Sequence, residues 1–142
     1  MCRVSEPMQV ENGASQSKKT IYLVDDEVDI TTILKELLEH NGFAVHAFND
    51  PKKALEEFMV NGKDCTVIIS DIRMPGMNGF QLARELCQLR PDVSIVLMSS
   101  FEINKEEFDK VLPSTEVAAF ITKPISKNLL LDTVGALFVD GR

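Results

Sequence analysis

From Thr20 onward, short apolar runs alternate with segments in which apolar residues recur at every third or fourth position. Ile21 to Val24 is a brief run of the first kind and predicts a strand. Ile30, Ile33, Leu34, Leu37 and Leu38 then recur at helical spacing, and Asn41-Gly42 stops that helix. Phe43 to Phe48 predicts a second strand. Asp50-Pro51 marks a helix start, with Asp50 as N-cap and Pro51 in the first turn. Ala54, Leu55, Phe58 and Met59 supply that helix with a buried stripe, and Asn61-Gly62 ends it. The β-branched content of Thr66 to Ser70 makes it a central strand. A loop rich in Gly, Pro and Asn covers Arg73 to Gly79. Phe80 to Leu89 is the third helix, closed by Pro91, and Val93 to Met98 the fourth strand. A charged fourth helix begins at Asn104, with Glu107 placed for a capping box, and ends at Pro113. Val117 to Thr122 is the fifth strand. Ser126 caps a last helix that carries Leu130, Val134, Leu137 and Phe138.

Strand and helix thus alternate five times. Parallel strands need crossover helices, and these are overwhelmingly right-handed. Continuous rather than alternating apolar strands mean burial on both faces. The fold class expected is α/β, a doubly wound five-stranded parallel sheet in a three-layer α/β/α sandwich. Residues 1–19 are polar and aperiodic, with Pro7 and Gly13, and predict a disordered N-terminal tail. The domain is expected over 20–139, with 140–142 as a short C-terminal tail. Only Asp140-Gly141-Arg142 follow Val139, so no output domain is expected in this chain.

Composition narrows the function. The 142 residues point to one domain, and 44% hydrophobic with 26% charged residues is ordinary for a soluble globular protein. A net charge of −7 disfavours direct binding to nucleic acid, whose affinity comes largely from Lys and Arg on phosphates. No apolar run approaches the roughly 18 residues that span a bilayer, so no membrane insertion is expected. The N-terminus has no signal-peptide core, and the expectation is a cytoplasmic protein. Cys2, Cys65 and Cys87 cannot all pair and lack metal-ligand spacing, which reads as reduced thiols. There is neither a Walker loop nor a G-x-G-x-x-G, so a nucleotide would find no phosphate cradle.

Three pieces carry candidate chemistry: Asp25-Asp26-Glu27, the run D-I-R-M-P-G-M-N-G from Asp71 to Gly79, and Lys123-Pro124. Each lies just beyond the C-terminal end of an expected strand, where open parallel sheets bind ligands. Three carboxylates and an ammonium meeting there suit a divalent metal and a phosphoryl group. Asp25, Asp26 and Asp71 would repel one another, so without a cation one or more should have a raised pKa. Mg²⁺, which takes six oxygens and keeps several waters, would relieve the repulsion. Pro124 makes the Lys123-Pro124 bond a candidate cis peptide. Other uses of these residues stay open. Asp25 and Asp26 can cap the first helix, Asp71 can be a turn residue, Ser99 a strand-end residue and Phe120 core packing. His40 and His46 read as structural.

With Asp25-Asp26, Asp71 followed by Met74-Pro75 and Asn78-Gly79, then Ser99, then Lys123-Pro124, the chain resembles a response-regulator receiver domain of the chemotaxis-receiver type, over roughly Thr20 to Val139. The resemblance implies a flavodoxin-like fold and a place in two-component signalling. It makes Asp71 the phosphoryl acceptor, with Lys123 neutralising the phosphoryl oxygens. It has Asp26 and Asp71 bind Mg²⁺ directly, Asp25 through a water, and Arg73 through its backbone carbonyl. Ser99 would bond a phosphoryl oxygen, and Phe120 would be the aromatic switch. The implied partners are a histidine kinase or phosphotransfer protein and a downstream protein target. The implied surface that changes is formed by the fourth predicted helix, the fifth strand and the last helix. Two departures stand out: Ser100 replaces the usual Ala or Gly, and Pro113-Ser114-Thr115 replaces a Gly-containing approach to the fifth strand. Two rival classes remain. A phosphatase with an Asp nucleophile usually needs D-x-D, and here Asp71-Ile72-Arg73 lacks the second Asp. An unphosphorylated interaction module would be expected to lose Asp26, Asp71 or Lys123, and all three are present. On the receiver reading the chain is no enzyme beyond its own phosphorylation and dephosphorylation at Asp71.

Overall fold

The most thoroughly apolar strand takes the middle of the sheet. In the computed structural model, which describes residues 19–100 and 117–139, β3 (Cys65–Asp71) is buried at every position except Thr66. On one side of it lie β1 (Lys19–Val24) and then β2 (Phe43–Phe48). On the other lie β4 (Ser94–Ser99) and then β5 (Ala119–Thr122). The order β2-β1-β3-β4-β5, all parallel, is the doubly wound arrangement expected. Because the chain moves outward from β1 to β2 and then crosses back to β3, the order reverses between β1 and β3. A crevice opens there at the carboxyl ends of the strands.

The two faces of the sheet are covered separately. Tyr22, Val24, Ile68, Ile95 and Leu97 face α2 (Pro51–Asn61) and α3 (Gly79–Leu89), and pack with Ala54, Phe58, Leu82, Ala83 and Leu86. The alternate residues Ile21, Leu23, Val67, Ile69, Val96, Met98 and Ile121 pack with Leu34 and Leu38 of α1 (Val28–His40). Leu130 and Val134 of α4 (Lys127–Val139) complete that layer. Strand side chains point alternately to opposite faces, so burial of both sets explains why these runs are continuously apolar.

Local signals set the helix ends. The Asp50 carboxylate accepts from the Lys52 N–H (2.9 Å) with Pro51 in the first turn of α2. The Ser126 hydroxyl accepts from the Leu129 N–H (3.2 Å) at the start of α4. Gly42, at φ +95°, takes the left-handed turn after α1. The start of α3 carries a reciprocal capping box: the Asn78 side-chain Oδ1 accepts from the Gln81 N–H (2.9 Å), and the Gln81 side-chain Oε1 accepts from the Asn78 N–H (3.0 Å).

Several expectations need correction. Met59, expected in the buried stripe of α2, is 64% exposed, and Ile33 on α1 is 55% exposed. Each follows or precedes a buried neighbour by one residue, a rotation of about 100° around the helix, so each stripe is narrower than its apolar content. The strand β1 begins at Lys19, one residue inside the expected tail. Val117 precedes β5 instead of belonging to it, and Asp71 is the last residue of β3 instead of lying just beyond the strand. The expected helix from Asn104 to Pro113, the Pro113-Ser114-Thr115 segment, most of the N-terminal tail and residues 140–142 lie outside the described residues.

Candidate functional site

Register places the chemistry. The pairing of Val24 with Ser70 makes Asp25 and Asp71 the next residues on adjacent strand ends. Ser99 pairs with Thr122, so Lys123 follows directly beyond it. Backbone bonds fix these ends. The Asp25 N–H donates to the Phe48 carbonyl (3.0 Å), the Ile72 N–H to Met98 (3.0 Å), and the Lys123 N–H to Ser99 (2.6 Å). The Lys123-Pro124 peptide is cis.

Gly79 sits where α3 starts against the end of β3. Its N–H donates to the Ile72 carbonyl (2.8 Å). A Cβ there would collide with the Asp71 carbonyl oxygen and stand 2.9 Å from the Ile72 Cα. Only glycine lets the helix approach the Asp71 backbone this closely.

At the crevice, Asp25, Asp26 and Asp71 each offer a carboxylate oxygen within 4.8 Å of the others. Asp25 is fully buried, Asp71 nearly so, and Asp26 exposed. The Lys123 ammonium faces them, with Nζ 2.8 Å from Asp25 Oδ2, 3.2 Å from Glu27 Oε1 and 3.3 Å from Asp71 Oδ1. Asp25 Oδ1 also accepts from the Glu27 N–H (3.0 Å). A cleft of about 270 Å³ is lined by Asp26, Glu27, Asp71, Arg73, Ser99, Ser100 and Lys123. Phe120 is on β5 and 39% exposed, away from that wall.

The electrostatics follow from burial. Burial raises the Asp71 pKa, the neighbouring Asp25 charge raises it further, and Lys123 pulls it partly back. Asp25 is also raised, by burial first, against the hydrogen bond from Lys123. Burial alone would lower the Lys123 pKa, but the hydrogen bond and charge of Asp25, then the charge of Asp71, carry it above its ordinary value. Carboxylates raised in this way are under-compensated by one ammonium. All the donors are oxygens and their charge is in excess, which fits a hard divalent cation such as Mg²⁺.

Two contributors escaped the sequence reading. The Asn49 amide donates to the Asp25 carbonyl (2.8 Å) and to the Thr31 hydroxyl (3.0 Å), tying the β1 end to α1. Its only signal was a position just past the second strand. Glu27 stood in the acidic run, but nothing in the sequence indicated its reach to Lys123.

Comparison with known proteins agrees with this geometry. Residues 21–135 match the family model of the response regulator receiver domain. The chain is 34% identical over 110 residues to the alkaline phosphatase synthesis transcriptional regulatory protein PhoP of Bacillus subtilis, an alignment that covers 76% of this chain and 43% of that protein. It spans 12% to 20% of the length of three further relatives to which it is 31% to 37% identical. Among solved structures, a response regulator receiver domain protein from Clostridium thermocellum superposes with a TM-score of 0.77 at 21% identity, covering 86% of this chain and 95% of that one. The response regulator TrrA of Thermotoga maritima, in complex with Mg²⁺-BeF, superposes with a TM-score of 0.72 at 27% identity, covering 84% of this chain and 98% of that one.

Proposed function

The chain belongs to the response regulator receiver domain family, a component of two-component signalling, and we propose that it acts there by accepting a phosphoryl group on Asp71. The observation that carries this reading is the convergence of three carboxylate oxygens within 4.8 Å, with Lys123 across from them. An Asp71 oxygen attacks phosphorus on a phosphohistidine of a kinase or phosphotransfer protein. The new O–P bond forms as the P–N bond breaks, and the imidazole nitrogen leaves with the electron pair. Asp26 and Asp71 would hold Mg²⁺ directly, Asp25 through a water, and Arg73 through its backbone carbonyl. When bound, the cation supplies positive charge against the phosphoryl oxygens. Lys123 supplies the second positive charge, and Ser99 a hydroxyl donor at the end of β4. Water attack on phosphorus later releases phosphate and restores the carboxylate. The Asp71-Ile72-Arg73 run offers no second Asp as proton donor, so the protein is not read as a phosphatase for other substrates.

The readout on this reading is a shift of the surface that includes β5 and α4, recognised by a protein target. Ser99 would take a bond to the phosphoryl group, and Phe120, partly exposed here, would follow. A ligand biases such an equilibrium only through contacts that differ between the two states. A cytoplasmic location goes with a kinase donor. Among the described residues no helix is long and apolar enough to cross a membrane.

Incubation with acetyl phosphate and Mg²⁺ separates the readings. One persistent phosphate per chain, labile to alkali and hydroxylamine, is expected. Rapid hydrolysis of many phosphate esters would identify a phosphatase instead, and failure to label would identify an interaction module.

A further inference from the structure

Lys123 has more claims on it than it can meet. An ammonium has three N–H donors and no more. Here it has three carboxylate partners, Asp25, Glu27 and Asp71. A phosphoryl oxygen that needs this ammonium must take a donor from one of them. Asp25 is the worst candidate: it is fully buried and makes the shortest contact, 2.8 Å, so losing Lys123 would leave a buried charge unpaired. The Asp71 contact belongs to the group that itself receives the phosphoryl. Glu27 is different. Its side chain is 62% exposed at 3.2 Å, so water replaces the ammonium there at little cost.

The backbone explains why this carboxylate stands at the cleft. Glu27 occupies the N-cap position of α1 in extended conformation (φ −91°, ψ 112°), yet its side chain makes no capping bond. Its N–H is held by Asp25 Oδ1 instead. The same buried carboxylate therefore grips Glu27 with one oxygen and Lys123 with the other. The Glu27 side chain is left to reach the ammonium.

We infer that Glu27 is a positioning residue that occupies one donor of the Lys123 ammonium until a phosphoryl group displaces it, and so weakens the site's hold on that group. This role rests on the reading of Asp71 as acceptor. Glu27 orients the ammonium in the unphosphorylated protein and then opposes the incoming phosphoryl by competition and by charge. It touches neither the reacting atoms nor α1's free N–H groups.

The test is a beryllofluoride titration at saturating Mg²⁺, followed by amide NMR, on wild type, Glu27→Gln and Glu56→Gln. Glu56 lies on the exposed side of α2, so its substitution removes the same charge outside the cleft. Glu27→Gln should bind beryllofluoride about two- to fivefold more tightly at low salt, the range expected for an exposed ion pair. The gap should close near 0.5 M salt, where screening is nearly complete. Affinity for Mg²⁺ alone should not increase, and Glu56→Gln should match wild type. Unchanged or weaker beryllofluoride binding by Glu27→Gln overturns the inference, as does an equal gain in Glu56→Gln. If wild type fails to bind beryllofluoride, or Asp71→Asn binds it equally well, the acceptor reading falls and takes this role with it. Binding by wild type with no gain in Glu27→Gln removes the Glu27 role alone.

Discussion

At the scale of single residues, the site is held in an unfavourable state by its own charge. Asp71 is raised by burial and by the charge of Asp25, which means that keeping it ionised destabilises the folded protein. Asp71→Asn removes that charge with nearly the same shape. In Mg²⁺-free buffer at pH 7 the variant should therefore be more stable than wild type. A urea midpoint in Asp71→Asn that falls below wild type would contradict this. The carboxylates and Lys123 were legible in the sequence because each follows an apolar run that could only be a strand. Glu27 and Asn49 were not. Their roles depend on which way a side chain turns at a helix start and a strand end, and periodicity says nothing about that.

At the scale of elements, the junction of β3 and α3 decides where Asp71 stands. The Asn78-Gln81 capping box fixes the start of α3, and Gly79 brings it against Asp71. Gly79→Ala should destabilise the protein by roughly 1–3 kcal/mol, as overpacking does, and should weaken Mg²⁺ binding if, as proposed, Asp71 and the Arg73 carbonyl are ligands. Gly135, inside α4, is the contrast: a Cβ added there would meet open space. Gly135→Ala should stabilise by about 0.4–1 kcal/mol and leave Mg²⁺ affinity unchanged. Thermal melts and Mg²⁺ titrations of both variants check this, and equal effects at the two glycines would refute it. The order of strands and helices was readable, since run and period alternate cleanly. The stripes were less so: Ile33 and Met59 carry the right residue types but point outward, because apolar content does not state how wide a face the sheet can cover.

At the scale of the whole molecule, one layer carries two buried acids that are neutral at pH 7. Burial pushes the Cys65 thiol from 9.0 up to about 12 and the Tyr22 hydroxyl from 10.0 up to about 12. Both lie in the layer under α2 and α3. A raised folded-state pKa means that the folded protein holds these protons more tightly than the unfolded chain. Their contribution is complete below pH 9.0 and is lost as pH rises toward about 12. Stability should therefore fall steeply across that window, and less steeply in Cys65→Ala. Chemical denaturation at stepped pH reads the difference, and parallel slopes would contradict it. The doubly wound sandwich was legible from the pattern alone. How the strands' two faces divide between α2 with α3 and α1 with α4 became visible only in the structure, because runs buried on both sides carry no phase.

The central claim is that this fold exists to present Asp71 to a phosphoryl donor. Its most direct test is to label wild type and Asp71→Asn with a phosphorylated histidine kinase in Mg²⁺ and to map the hydroxylamine-labile phosphate. The account predicts one label in wild type, on the Cys65–Arg73 stretch at Asp71, and none in the variant. Undiminished labelling of Asp71→Asn, or a label mapped elsewhere, would contradict it.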